Sequence, residues 1–558
     1  MIMLNLKKKM LALLMTMALC LSGVLSGCGN TGGNTSESGG TSGYSKGHVN
    51  LSDSDGDGIL EGGTLTVGLG GDMVMFDPAY CYDMYGLPVI NQVCECLLRF
   101  TLDESGNMVT EPCLAESYDM VSPTEWYFYL RQGVKFSDGS ELTVDDVVFS
   151  LERMRTDAYA AQFYDNVDVI EATDDKTIHI TLSQPDATFQ YAVAHQSGFA
   201  ITSKAYYEAH KDTFGDPNTG CIGTGPYAFK SWTQGEEIVL TKNDYYWDKG
   251  AYLDEVVFDI IPESVTRVTG LQSGDINFIM PVPIDVASTV EGLGYVNMQV
   301  KDTYGVDFIA FNCSEAPFDD VNVRQAMNYL FDSASFADNI CQSIGETGYT
   351  GSIPESLWIG DKSMWQEYES SMEKYDYNIE KAKECLKKSS YPNGFEATIT
   401  TDKDPVRYNA ALYLQSEAEK AGVTIDIEIV SGEQLTARTF ESPKNYQMIC
   451  NYWGSDFPDP IGLLGCLLLS KNAEGGSNFS NYLNNDFDTL IGTQDAMTDS
   501  TQRGRVFIDA LKIVDEECPW IMIDFANSTC AMSSDIEGYD VMGVWYLNDF
   551  TRLMHYVE

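Results

Sequence analysis

The chain has 558 residues, with 83 acidic against 34 basic side chains and a formal charge of −49. A field of that sign disfavours nucleic acid and other anionic partners; it suits a cationic ligand, or serves general solubility. The length lies well past the ~250–300 residues at which one core stops growing, so two or more lobes are expected.

Residues 1–28 place Lys7, Lys8 and Lys9 before an apolar run that ends in Leu25-Ser26-Gly27-Cys28. This is the pattern of a secretory signal, and its end resembles a bacterial lipobox, in which Cys28 takes a diacylglycerol and becomes the new N-terminus. A transmembrane anchor or an ordinary signal peptide with a chance cysteine is the alternative. With its three lysines and no acid, removal of the segment takes the charge to −52. From Gly29 to Asn50, 17 of 22 residues are Gly, Ser, Thr or Asn, a composition that cannot offset its own ordering entropy. It reads as a tether with a typical reach of about 25 Å.

In "DSDGDGILEGG", Asp53, Asp55, Asp57 and Glu61 stand where the first part of an EF-hand loop holds calcium, but Thr64 replaces the bidentate glutamate at the twelfth position. An acidic turn is the competing reading. "TLTVGLGG" then reads as a strand, and "LPVINQVCECLLRF" as a helix with Val89, Val93, Cys96 and Leu97 on one face. Further on come the strand pair in "EWYFYLRQGVKF", a turn at Asp138-Gly139 and a helix capped by Thr143.

At Gly223, "GTGPYA" with Asp244 about twenty residues on has the spacing of a dinucleotide fingerprint. No helix pattern follows. Phe229, Trp232, Ile238 and Leu240 around Gln234-Gly235-Glu236 predict a hairpin instead. The second half alternates helix and strand. A helix is capped by Asn378, another ends at Gly422, "VTIDIEIV" is a strand, and "YQMICNYW" is a strand leading into the loop "GSDFPDP". Alternation of this kind predicts a mixed or parallel sheet, with the ligand beyond the strands' carboxyl ends. That is where Trp453 to Asp456 lie.

No stretch after the signal reaches the ~18 apolar residues of a spanning helix; "IGLLGCLLL" at 461–469 is half that length. No Gly-x-Ser-x-Gly elbow and no His-Glu-x-x-His site occurs, and the histidines at 48, 179, 195, 210 and 555 are scattered and read as structural or exposed. A hydrolase is therefore not supported, and the chain is not read as an enzyme. The scattered histidines also weaken a nickel or haem site. Most of the twelve cysteines beyond Cys28 read as buried thiols.

Nine segments in order resemble the family 5 extracytoplasmic solute-binding proteins of ABC transporters, the peptide- and dipeptide-binding proteins. They are Phe76-Asp77-Pro78, "VCECLLRF", "PCLAESYDM", "FYLRQGVKFSDGSELTVDDVVFSLERM", "GTGPYAFKSW" with "NDYYW", "FIAFNCSEAPFDDVNVRQAMNYLFD", "NIEKAKECL", "YPNGFEATI" and "FPDP". Cys94 departs from the aromatic residue common in the family, and Cys313 from the Thr often found there. The resemblance implies an α/β fold, a two-lobed periplasmic-binding-protein-like clamp of type II with an extra subdomain in the first lobe. The expected parts are the signal peptide at 1–27, the lipidated cysteine, tether and acidic turn at 28–61, lobe I at 62–103, the inserted subdomain at 104–222, lobe I again at 223–306, lobe II at 307–527 and the last part of lobe I at 528–558.

The resemblance further implies capture of di- or oligopeptides and delivery to an ABC importer, whose permeases and ATPases are separate partners. The protein is expected as a monomer at the outer face of the cytoplasmic membrane, held there through its lipid. Trp453-x-x-Asp456 resembles the place where peptide-binding members set a carboxylate against the ligand's α-ammonium beside a tryptophan; a loop-capping Asp is the alternative. Tyr82, Asp83 and Met84 fall, by spacing from Asp77 to Glu95, in the segment that pairs its backbone with the peptide as an added strand; a surface loop is the alternative. Arg407 and Arg438 lie in lobe II, with nothing in the spacing to tie either to the ligand's carboxylate. Another solute on the same fold (a nickel chelate, a sugar, another cationic compound) and a surface peptide receptor without import are the rival readings.

Overall fold

A computed structural model describes residues 51–52, 58–157 and 161–557. Cys28, the tether and the acids Asp53, Asp55 and Asp57 lie outside the described residues. Three sheets organise the body. The first has seven strands in the order 296–301, 528–533, 278–279, 64–69, 255–260, 237–242 and 227–233. Its strand Thr64–Leu69 runs parallel to both neighbours and turns Leu65, Val67 and Leu69 into the core. The second has six strands in the order 345–346, 520–526, 305–311, 448–454, 396–401 and 424–429. All seven residues of Gly305–Phe311 are buried, as the nearly unbroken apolar run "GVDFIAF" requires of a strand covered on both faces.

The third sheet, with strands in the order 115–122, 125–130, 177–182 and 167–172, belongs to the inserted segment. In "EWYFYL" the alternation is direct: Trp126, Phe128 and Leu130 point inward. Helix Val144–Asp157 packs beside this sheet. At its start the Asp146 carboxylate accepts from the Thr143 N–H (3.0 Å) and hydroxyl (2.6 Å), while the Thr143 hydroxyl oxygen accepts from the Asp146 N–H (3.3 Å). From this helix Arg153 reaches back to Asp77 of the first lobe, a fully buried pair at 3.0 Å between Nη1 and Oδ1.

The chain passes between the seven- and six-stranded sheets at residues 302–304 and again at Asn527. These crossings lie side by side, because Lys301 pairs with Ser528 in one sheet and Asp307 with Asp524 in the other. The molecule is therefore a two-lobed clamp joined at a narrow seam. Among the described residues no helix is long and apolar enough to cross a membrane. All twelve described cysteines are free thiols and ten are buried, with Cys94 and Cys221 in contact at 3.5 Å.

Two predicted elements are corrected. In "EWYFYLRQGVKF" only Glu125–Leu130 is a strand, and it pairs with 115–122 and 177–182 instead of with the residues that follow it. "LPVINQVCECLLRF" is helical only over Leu87–Ile90; after a turn it is extended, Glu95 bridges to Ile201, and Leu98–Leu102 is a strand. Every residue from Gly86 to Leu98 is buried, so the segment has no solvent face for a helix to present. Its carbonyls serve the returning chain instead: Gln92 accepts from the Tyr227 N–H (3.0 Å) and Val93 from Gly225 (2.9 Å). Here the glycines of "GTGPYA" find their role. A Cβ at Gly223 would sit 2.0 Å from the Val93 oxygen, and one at Gly225 would sit 2.6 Å from that of Gln92. They permit close backbone contact ahead of the hairpin 227–233/237–242, whose turn holds Gly235 at φ +74°.

Glu95 sits in this buried layer, accepting from Thr224 Oγ1 (2.7 Å), Trp247 Nε1 (2.9 Å) and the Cys113 thiol (3.5 Å). Burial pushes its carboxyl up to about 7, although the Trp247 and Thr224 donors and the Arg99 charge favour the ionised form. Between the ordinary glutamate value of about 4.3 and this raised value, the folded chain holds a proton that the unfolded chain has lost. Stability is expected to fall as pH rises through that window, by roughly 3 kcal/mol. Denaturant midpoints across pH 4–8 would show the slope, and Glu95→Gln is expected to flatten it.

Candidate functional site between the lobes

The strand Met448–Gly454 ends at the seam and delivers a tightly fixed loop. Ser455 N–H donates to the Tyr304 carbonyl (3.0 Å), and the Ser455 hydroxyl to that of Phe457 (2.7 Å). Two residues beyond Phe457, Asp459 forms a buried bidentate pair with Arg503 at 2.7 and 3.0 Å. The Trp453 indole N–H is committed to the Gly462 carbonyl (3.0 Å), and its ring meets Phe479 edge-on at 5.9 Å. Trp453 thus shapes the wall behind the loop.

Asp456 is held at the centre of this loop. Its Oδ2 accepts from the Tyr82 hydroxyl (2.6 Å) and its Oδ1 from the Tyr546 hydroxyl (3.0 Å), and His195 Nε2 lies 3.7 Å from Oδ2. Tyr82 follows the first strand of lobe I, His195 comes from the inserted segment and Tyr546 from the C-terminal strip, so one lobe II carboxylate gathers groups from three other parts of the chain. His195 is 1 % exposed and wedged between Phe163 and Tyr82. Its Nδ1 accepts from the Ser197 N–H (3.2 Å), which leaves Nε2–H facing Asp456. Burial alone would raise the Asp456 carboxyl. His195, Tyr82 and Tyr546 outweigh it, and the group is held below the usual carboxylate range. Burial and the Asp456 charge in turn raise the Tyr546 hydroxyl, which stays a neutral donor.

The remaining sequence-predicted residues fall as follows. Tyr82 is at Asp456, and Met84 is 40 % exposed nearby in sequence. Asp83 turns away from the carboxylate: its Oδ1 accepts from the N–H groups of Tyr85 (3.1 Å) and Gly86 (2.7 Å), and its carbonyl from Leu87. Residues 83–86 are therefore a turn into the short helix, not an extended strand, because the Asp83 side chain takes the amides a strand would offer. Arg407 is held by Asp402 at 2.9 and 3.1 Å and lies 3.4 Å from Asp307, and Arg438 is held by Glu428 (2.7 Å). Glu61 pairs its backbone with Ser52 in both directions at 2.9 Å. Sequence reasoning missed His195 and Tyr546. Neither sits in a motif, and only the packing of separate parts of the chain brings them to Asp456.

The model of the family described as bacterial extracellular solute-binding proteins, family 5, matches residues 109–475. This chain is a family 5 solute-binding protein. Such proteins bind rather than catalyse, and family members are extracytoplasmic. The solute-binding protein is 29 % identical to heme-binding protein A of Haemophilus influenzae over 80 % of its own length and 84 % of that protein's. It is 28 % identical to the probable D,D-dipeptide-binding periplasmic protein DdpA of Escherichia coli, covering 85 % and 91 % of the two chains. Among solved structures it resembles the periplasmic binding protein DppA of Helicobacter pylori in complex with the peptide STSA. That likeness has a TM-score of 0.76 and 26 % identity, and covers 89 % of this chain and 99 % of that one. The likeness to these relatives thus runs over most of the chain.

Proposed function

We propose that this protein captures peptides by their free amino terminus at Asp456 and delivers them to the permease and ATPase subunits of an ABC importer. The observation that carries the reading is an ionised carboxylate at the meeting point of the lobes, with a tyrosine hydroxyl on each oxygen. A carboxylate offers about four acceptor positions. Tyr82 and Tyr546 use one on each oxygen, which leaves room for an ammonium to add a short, charge-assisted contact. Relatives named for dipeptides, and a peptide-bound structural neighbour, support the same class. The chain acts as a monomer tethered through Cys28 to the outer face of the cytoplasmic membrane. Calcium at Asp53, Asp55, Asp57 and Glu61 is a secondary proposal, decided by titration of the protein with calcium.

Calorimetry with a tetrapeptide and its N-acetylated form tests the ligand reading: the free peptide is expected to bind and the acetylated one to bind at least tenfold more weakly. Mass spectrometry of the small molecules that copurify would overturn the reading if it returned a sugar, a haem or a metal chelate in place of peptides. For the anchor, Cys28→Ala is expected to shift the protein from the membrane fraction to the soluble one. Retention of that variant after a carbonate wash would remove the lipid from the picture.

A further inference from the structure

A cavity of about 260 Å³ opens between the inserted subdomain and lobe II. Trp126 and Tyr191 belong to its lining on the subdomain side, and Tyr191 stacks on Phe457 at 5.7 Å with the rings 4° from parallel. Trp126 is 5 % exposed, and its buried indole N–H has no hydrogen-bond partner among the described residues. A buried donor left unpaired is costly, and an acceptor on an occupant would relieve it.

The charges in the lining are unbalanced. Asp459 and Arg503 neutralise each other as a buried pair. Two further carboxylates remain, Asp186 from the subdomain and Asp495 from lobe II. Asp186 accepts from the Thr188 N–H (2.9 Å) and hydroxyl (2.7 Å), and Asp495 accepts from the Gln494 amide, so both are oriented by neutral groups. Asp495 is an exposed residue; partial desolvation and the Asp186 charge raise its carboxyl, and Lys471 and Arg503 offset part of that rise. Like charges from two bodies that come together oppose their approach. A cation placed between them reverses the sign of that interaction.

We propose that this cavity binds an organic cation of about amino-acid size, with its apolar stem against Trp126 and Tyr191 and its charge between Asp186 and Asp495. Its volume lies below the ~300–1,000 Å³ of a drug-sized site, which suits one such group rather than a whole peptide. The cation has two sources, a basic side chain of the ligand held at Asp456 or a separate molecule. The first rests on the peptide reading above and the second does not.

Calorimetry on the whole protein separates them with two probes. The first is 5-aminopentanamide, which has one ammonium, a four-carbon stem and an amide oxygen for the Trp126 N–H; neutral pentanamide is its control. The second is the tripeptide Gly-Gly-Lys against its norleucine counterpart. Asp186→Asn and Asp495→Asn, checked for an unchanged fold by circular dichroism, are each expected to weaken the cation-dependent binding at least tenfold. A lysine preference abolished by both variants assigns the cavity to the ligand's own side chain. Binding of 5-aminopentanamide that survives Asp456→Asn but not Asp495→Asn assigns it to a separate molecule, and does so even if no peptide binds. The proposal falls if neither probe binds better than its neutral control, or if both substitutions leave the difference intact.

Discussion

Asp456→Asn is expected to weaken binding of a peptide with a free amino terminus by about 2–5 kcal/mol, roughly 30- to 4,000-fold. Much of this is the cost of enclosing an ammonium with no counter-charge. Asparagine keeps the size of the side chain; its one oxygen accepts from one of the two tyrosine hydroxyls and its NH2 can donate to the oxygen of the other, so the loop held by Ser455 and Asp459 should keep its shape. The decisive readout is the ratio between the free peptide and its N-acetylated form. That ratio should collapse towards one in the variant, an outcome that general loosening of the lobes would not produce. Because the Asp456 carboxyl is held below the usual range, it remains ionised throughout the neutral and mildly acidic region. Affinity at this site is therefore expected to stay level from neutral pH down to the ordinary carboxylate range and to fall only below it.

The second large effect is on stability. Asp77→Ala removes the buried partner of Arg153 and is expected to cost about 3–5 kcal/mol, since the guanidinium is left without a counter-charge. Tyr207 and Phe214, whose rings lie 4.5 and 5.3 Å from that guanidinium, soften the loss without cancelling it. Arg153 joins the inserted subdomain to lobe I, so urea denaturation of the variant should show an early transition for the subdomain. The double substitution Asp77→Ala/Arg153→Met should recover part of the loss, because no buried charge then remains. A single-step transition at the parent's midpoint would show that the pair contributes little.

The sequence revealed most where side-chain alternation and chain reversal coincide. Strand Glu125–Leu130, the hairpin after Gly225 and the helices capped by Thr143 and Asn378 carry their signals locally, and each forms as those signals require. Residues 87–98 misled because a segment buried on every side has no polar face to set its period. At the site, the loop after Trp453 was legible from its place beyond a strand's carboxyl end. His195 and Tyr546 were not, since their meeting with Asp456 depends on the packing of separate parts of the clamp. Asp83 shows a third limit: an Asp two or three residues before free amides folds its side chain back on them, which makes a turn where backbone pairing as an added strand was expected.

The two adjacent crossings at 302–304 and Asn527 also constrain how the chain can be built. Lobe II is one uninterrupted stretch, whereas the seven-stranded sheet of lobe I needs 528–533 to fill the gap between 296–301 and 278–279. During synthesis from the N-terminus, lobe I waits with two unpaired strand edges until the whole of lobe II has been made. Open edges of that kind invite pairing with other chains. A fragment cut just before Ser528 would thus keep every strand of lobe II yet leave its older neighbour the one prone to aggregate.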